Sequence, residues 1–198
     1  MHQTSSSDPW IAFRQNRPQA RLRLLCFPYA GGGALTYRKW TTEMPPEIDV
    51  LPVQLPGRER RLREAPHTSM AALIDDMVGA LERYVDQPFA IFGHSMGSIV
   101  GYEAARRLQQ DRGVEPIRFL ASARRAPQLP NDREGDYLLP DQELCERLRE
   151  MNGTPTEVLD NPELMQLMLP LIRADFELNE TYTPAPEPRL SCPVTALG

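Results

Sequence analysis

The sequence Gly93-His94-Ser95-Met96-Gly97 lies between two segments of different pattern. Residues 89–92 form an apolar run that predicts a buried strand, and residues 99–108 carry apolar side chains at helical spacing. A serine flanked by glycines between a strand and a helix is typical of a nucleophile elbow, a sharp turn that exposes the hydroxyl at the end of the strand. We therefore predict that Ser95 is a nucleophile, and that both glycines are required because side chains there would collide with the turn.

A glycine-rich segment, residues 28–33 with the sequence Pro-Tyr-Ala-Gly-Gly-Gly, follows a strand pattern at residues 21–27. Such a segment can bind phosphate. However, Thr36 occupies the position where a dinucleotide-binding fingerprint needs glycine, and no Gly-Lys-Ser or Gly-Lys-Thr sequence follows. Two interpretations remain for residues 28–33: a flexible turn, or one side of an oxyanion hole.

An oxyanion hole beside a nucleophile elbow takes one backbone N–H from the residue after the nucleophile, which is Met96 here. The second N–H comes from a loop after an earlier strand, and glycines allow that loop to approach a reacting carbonyl closely. We predict Ala30 as the second donor, with Tyr29 and Gly31 as alternatives.

Strand and helix patterns alternate along the chain. The strand patterns lie at residues 21–27, 49–55, 89–92, 117–121 and 190–197. An amphipathic helix begins after Ser69, and Pro52 inside the second strand indicates a sheet edge or an irregular strand. The alternation predicts an α/β fold with a mostly parallel, doubly wound sheet. In such sheets chemistry takes place at the carboxyl ends of the strands, where Ser95 and residues 28–33 both fall.

The predicted organisation has three parts. Residues 1–20 are polar and predict an N-terminal tail or first loop, and residues 21–125 and 189–198 form the α/β core. Residues 126–188 predict a helical lid and a proline-rich linker. Three lid methionines either line an adaptable acyl-binding surface or pack on the core: Met151, Met165 and Met168.

The arginine-rich run at residues 58–64, Arg-Glu-Arg-Arg-Leu-Arg-Glu, has two interpretations. It forms a solvated face, which we favour, or it contacts an acidic macromolecule or a phosphate on a substrate arm. The net charge of −5 argues against nucleic acid as the main partner.

Composition indicates a cytoplasmic protein that is not embedded in a membrane. No apolar run reaches the roughly 18 residues that a membrane-spanning helix needs, and the polar N-terminus lacks the apolar region of a secretion signal. Cys26, Cys145 and Cys192 are far apart and odd in number, which predicts reduced thiols and no zinc site. We expect a monomer without cofactor or metal.

Five sequence blocks together resemble the type II thioesterases of modular nonribosomal peptide and polyketide synthases. The blocks are Cys26-Phe27-Pro28-Tyr29-Ala30-Gly31-Gly32, Tyr37-Arg38-Lys39-Trp40, Gln54-Leu55-Pro56-Gly57-Arg58-Glu59, Gly93-His94-Ser95-Met96-Gly97 and Ala174-Asp175-Phe176. The resemblance extends from about residue 21 to the C-terminus. It implies an α/β-hydrolase with a helical lid, in which His94 is the variable residue of the elbow.

The resemblance also implies an editing function: hydrolysis of misloaded acyl or aminoacyl groups from the phosphopantetheine arms of carrier proteins. Ser95 would be the nucleophile, and Met96 and Ala30 would donate to the oxyanion. Alternatives are another serine esterase, a fatty-acyl carrier thioesterase, or a carrier-binding protein without catalytic activity.

A serine nucleophile needs a histidine base that a carboxylate orients. The chain contains only His2, His67 and His94: the first lies in the predicted tail, the second precedes the nucleophile and the third adjoins it. The carboxylates of Asp175 and Glu177 are predicted to be surface or structural groups. The resemblance places the aspartate and histidine after the strand at 190–197, so we expect a C-terminally incomplete sheet and little or no turnover from these 198 residues.

Overall fold

The structure is a computed structural model that describes residues 8–15, 17–129, 135–184 and 189–198. Its sheet has five parallel strands in the order β2-β1-β3-β4-β5. The strands are β1 (Leu22–Phe27), β2 (Ile48–Pro52), β3 (Phe89–His94), β4 (Arg118–Ser122) and β5 (Val194–Leu197). The helices are α1 (Trp40–Glu43), α2 (Met70–Leu81), α3 (Met96–Arg112), α4 (Asp141–Met151), α5 (Thr156–Leu159) and α6 (Pro162–Glu180).

Both faces of the sheet are covered, which confirms the predicted α/β fold and parallel sheet. One face packs against α2 and α3 and contains Leu25, Leu51 and Ile91, none of which is exposed to solvent. The opposite face contains the alternate strand residues, such as Leu24 and Val50, and packs against the segment around Trp40. Because side chains alternate across a strand, apolar residues at consecutive positions fill both cores. Of the two interpretations of Pro52, a sheet edge or an irregular strand, the position of β2 at the end of the strand order supports the edge.

Residues 8–15 fit the first-loop interpretation of residues 1–20 and not the tail interpretation. Ile11 forms an antiparallel bridge with Val53, and the backbone N–H of Gln54 donates to the Trp10 carbonyl at 2.7 Å. The Trp10 side chain is only 5% exposed, and the Arg61 guanidinium lies 4.1 Å from the centre of its ring. This segment covers the outer edge of β2. Residues 1–7 and 16 lie outside the described part of the chain.

The favoured interpretation of the arginine-rich run is wrong for two of its four arginines. Arg58 and Arg61 are buried, whereas Arg60 and Arg63 are exposed. The buried pair contacts groups far away in the sequence, so the run is half structural and half solvated.

Residues between β4 and β5 contain helices α4 to α6, as the pattern predicts. Asn161 accepts a hydrogen bond from the backbone N–H of Leu164 at 3.1 Å and Pro162 begins α6, so the helix is capped at its N-terminus. These helices share a separate apolar cluster: Leu144, Leu148, Leu159, Met165, Leu169, Ile172 and Phe176. Parts of the predicted lid and linker, residues 130–134 and 185–188, lie outside the described residues. Within the described residues, no helix has both the length and the apolar character needed to cross a membrane.

The buried position of Trp10 predicts a large effect of truncation. Trp10→Ala should lower the free energy of unfolding by about 3 kcal/mol, because it removes a buried aromatic side chain and leaves a cavity. Urea denaturation measures this, with Leu138→Ala as the control, since Leu138 is 72% exposed. Equal urea midpoints for the two variants would show that the N-terminal segment does not belong to the core.

Candidate active site

Ser95 lies in a strained turn between β3 and α3. Its backbone angles are φ 52° and ψ −118°, a conformation that residues other than glycine rarely adopt. Its N–H donates to the Ser122 carbonyl at 2.8 Å, and its carbonyl accepts from the Ser98 N–H at 3.0 Å. The predicted strand–turn–helix context is therefore present, and neighbouring backbone holds the strained residue in place.

Close backbone approach explains the glycines on either side. A Cβ atom at Gly93 would lie 2.3 Å from the Gly97 carbonyl oxygen, inside the turn itself, as predicted. A Cβ atom at Gly97 would instead lie 2.1 Å from the carbonyl oxygen of Phe27, the last residue of β1. Gly97 therefore allows the end of β1 to contact the start of α3, and the glycine-rich segment begins beside Ser95.

A cavity of about 340 Å³ opens at Ser95. Its core side is lined by Tyr29, Ala30, His94, Ser95 and Ala123, and its helical side by Leu148, Met151, Gly153, Thr154 and Phe176. The structure thus brings the glycine-rich segment and the serine to one cavity. Of the three lid methionines, only Met151 lines it; Met165 and Met168 pack in the helical cluster.

The hydrogen bonds of the glycine-rich segment reduce the choice of second oxyanion donor. The Gly31 N–H donates to Asp175 Oδ2 at 2.7 Å, so it is not available to a substrate. Within the described part of the chain, the N–H groups of Ala30 and Tyr29 have no acceptor. Met96 is the first residue of α3, where an N–H has no partner in its own helix. Ala30 and Met96 remain the predicted backbone donors to the oxyanion, with Tyr29 as the alternative to Ala30.

Both described histidines are bonded to groups other than Ser95. His94 Nδ1 lies 3.0 Å from Ser122 Oγ, and the His94 ring packs edge-on against Tyr29 with centroids 5.9 Å apart. His67 Nε2 lies 3.2 Å from Asp76 Oδ2 on α2. His2 lies outside the described residues.

Sequence reasoning missed a buried ion pair that contacts the glycine-rich segment. Asp175 of α6 is 2% exposed and forms a two-point ion pair with Arg58. The sequence predicted that Asp175 is either a surface group or a structural group, and the structure shows the second. The available signal was that Arg58 and Asp175 lie in two of the blocks that carry the family resemblance.

Comparison with known proteins decides the family. The family model described as a thioesterase domain matches residues 22–196. The chain belongs to the thioesterase family. This thioesterase is 39% identical to the gramicidin S biosynthesis protein GrsT of Aneurinibacillus migulanus over 194 residues, which cover 98% of the chain and 76% of GrsT.

Solved structures with the same fold include two thioesterases of biosynthetic pathways. The type II thioesterase BorB from the borrelidin biosynthetic cluster superimposes with a TM-score of 0.86 at 40% identity, covering 96% of this thioesterase and 77% of BorB. RedJ, a thioesterase from the prodiginine pathway in Streptomyces coelicolor, gives a TM-score of 0.84 at 41% identity, covering 91% and 71% of the two chains. These similarities confirm the hydrolase class and the α/β-hydrolase fold that the sequence resemblance implies.

The contact at Gly97 predicts a strong steric effect. Gly97→Ala should lower the free energy of unfolding by about 3 kcal/mol or prevent folding, because the Phe27 backbone has to move away. Gly79→Ala is the matched control: Gly79 lies in α2 with open space around its Cβ position, so alanine should be neutral or stabilising by up to about 1 kcal/mol. If both variants unfold at the same urea concentration, β1 and α3 are not in tight contact at Gly97.

Proposed function

We propose that Ser95 is the nucleophile in hydrolysis of acyl or aminoacyl thioesters carried on the phosphopantetheine arms of carrier proteins. The observation that carries this proposal is the strained turn that holds Ser95 at a cavity beside the unengaged N–H of Ala30. Membership of the thioesterase family and the similarity to GrsT and BorB support it. The corresponding biological task is removal of misloaded groups during antibiotic biosynthesis.

The first chemical step forms an acyl-enzyme. Ser95 Oγ attacks the thioester carbonyl, and the Met96 and Ala30 N–H groups donate to the oxygen as it becomes negative. The carbon–sulfur bond then breaks and the carrier thiolate leaves; water later hydrolyses the serine ester. A thiolate leaves more easily than an amine, so stabilising the oxyanion matters more than protonating the leaving group. Loss of one oxyanion donor costs about 10²–10³-fold in rate. No cofactor enters these steps.

The Ser95 proton must pass to a general base. The His94 ring is bonded to Ser122 and the His67 ring to Asp76, so we assign the base to neither of them. The N-terminal dipole of α3, a helix of 17 residues, favours negative charge at Ser95 and its substrate.

The cavity wall suits an acyl chain. Leu148, Met151 and Phe176 give it an apolar side opposite Ser95, and the flexible thioether of Met151 can adapt to acyl groups of different shape. We infer tolerance of several small or medium acyl groups, which an editing enzyme requires. The volume of about 340 Å³ lies within the usual range for small-molecule sites.

The Ser95→Cys variant tests the site without a general base. A thiolate attacks thioesters directly, and a position beside a helix N-terminus lowers the pKa of a thiol. We expect the variant to take the acyl group from an acyl-N-acetylcysteamine thioester at least tenfold faster than Ser69→Cys. Peptide mass spectrometry measures the acyl group on each thiol. Ser69 is an exposed residue immediately before α2, so the control has the same relation to a helix.

Peptide mass spectrometry also separates the native thiols of Cys26, Cys145 and Cys192 from the thiol at position 95 or 69. Cys26 is buried, and burial raises the pKa of its thiol well above the ordinary range. Equal acylation at positions 95 and 69 would contradict the proposed site. Faster transfer from an acyl carrier protein than from the free thioester would support the carrier-bound substrate, and equal rates would favour a small-molecule esterase.

A further inference from the structure

The Arg58–Asp175 ion pair holds the backbone of the glycine-rich segment at two points. Asp175 Oδ2 accepts hydrogen bonds from the Gly31 N–H at 2.7 Å and from Arg58 Nη1 at 2.8 Å. Arg58 Nη2 donates to Asp175 Oδ1 at 2.7 Å, and Arg58 Nη1 also donates to the Gly32 carbonyl at 3.0 Å. The ion pair therefore contacts one donor and one acceptor of consecutive residues next to Ala30.

Both residues of the ion pair are buried, which bears on why charged side chains occupy these positions. Asp175 is 2% exposed and Arg58 is 4% exposed. A buried ion pair seldom adds more stability than a pair of apolar side chains that fills the same volume. A carboxylate at this position differs from an apolar side chain because it accepts the Gly31 N–H. The contact with the backbone, rather than stability, distinguishes Asp175 from an apolar residue.

Gly31 has φ 76°, and because glycine has no Cβ atom its backbone has more accessible conformations than that of other residues unless it is anchored. The Gly31 N–H belongs to the peptide plane that contains the Ala30 carbonyl. Anchoring this plane on Asp175 limits rotation at Ala30, and the bond from the Gly32 N–H to the Tyr29 carbonyl at 2.9 Å closes the turn around it. The Ala30 N–H thereby keeps one orientation.

Helix α6 supplies this anchor together with the cavity wall. Ile172, Asp175 and Phe176 lie on one side of the helix, since residues three and four apart are neighbours there. Ile172 Cγ1 lies 3.4 Å from the Cβ position of Gly31, and Phe176 lines the cavity. Ala30 itself packs against both the main core and the helical cluster.

We propose that Asp175 and Arg58 are positioning residues of the oxyanion hole, which orient the Ala30 N–H by holding the backbone of Gly31 and Gly32. Because Asp175 lies on α6, the reaction then depends on how α6 packs against the glycine-rich segment. This inference rests on the proposed function, because it concerns a donor to the oxyanion. The two residues act through the backbone and need not touch the substrate.

The experiment compares two reactions of the same thiol in the Ser95→Cys background. Acyl transfer from an acyl-N-acetylcysteamine thioester passes through an oxyanion, whereas alkylation by iodoacetamide does not. In the Arg58→Met, Asp175→Leu double variant we expect the limiting rate of acyl transfer to fall at least tenfold, because neither new side chain can bond to the Gly31 N–H or the Gly32 carbonyl. The alkylation rate should stay within twofold, and the thioester concentration for half-maximal rate should change little.

The apolar double variant separates positioning from stability, because an apolar pair in place of a buried ion pair keeps the protein folded. Arg173→Met is the matched control: Arg173 also lies on α6 but bonds to Asp141 and the Tyr137 carbonyl, so both rates should be unchanged.

Unchanged acyl transfer in the double variant would overturn the inference. A parallel loss of acyl transfer and alkylation would also overturn it, since that result indicates damage to the turn at position 95. If the parent Ser95→Cys protein captures no acyl group, the proposed function itself fails and this inference fails with it.

Discussion

The contact between the end of β1 and the start of α3 determines where every other part of the site lies. The Phe27 carbonyl occupies the space that a side chain at Gly97 would need, and it accepts a hydrogen bond from the Tyr37 hydroxyl at 2.9 Å. The buried Ser98 hydroxyl lies 2.7 Å from the Gly93 carbonyl and 3.1 Å from the Ser122 carbonyl. These contacts hold β1, β3 and β4 together around Ser95, and a strained backbone persists only in such a frame.

The helices between β4 and β5 supply the parts of the site that the sheet does not. The sheet places Ser95 and residues 28–33 side by side, but the apolar cavity wall comes from α4 and α6. Asp175 joins α6 to the glycine-rich segment, so one helix shapes the acyl site and also anchors the loop that carries the oxyanion donor. Recognition of the acyl group and stabilisation of charge therefore depend on one packing arrangement.

Local patterns predicted much of this structure. Apolar runs located all five strands to within a few residues, and the glycines at 93 and 97 predicted the turn at Ser95. These features follow from neighbouring residues, whose periodicity and steric demands are visible in the sequence.

The errors have one physical cause: the partners lie far apart along the chain. Arg58 was interpreted as part of a solvated face because its partner Asp175 lies 117 residues away. Trp10 was assigned to a tail or first loop, and its burial was not predicted, because it packs on Arg61 and bonds through its backbone to Gln54, contacts that no local pattern reveals. The same limit applied to the methionines, since spacing alone did not distinguish Met151 at the cavity from Met165 in the helical cluster.

A crystal structure of the S-acylated Ser95→Cys protein tests the central claim most directly. The account predicts that the acyl carbonyl oxygen lies about 2.7–3.1 Å from the backbone nitrogens of both Met96 and Ala30, with the acyl chain against Phe176. An acyl oxygen that points to solvent, or that contacts neither nitrogen, would contradict it.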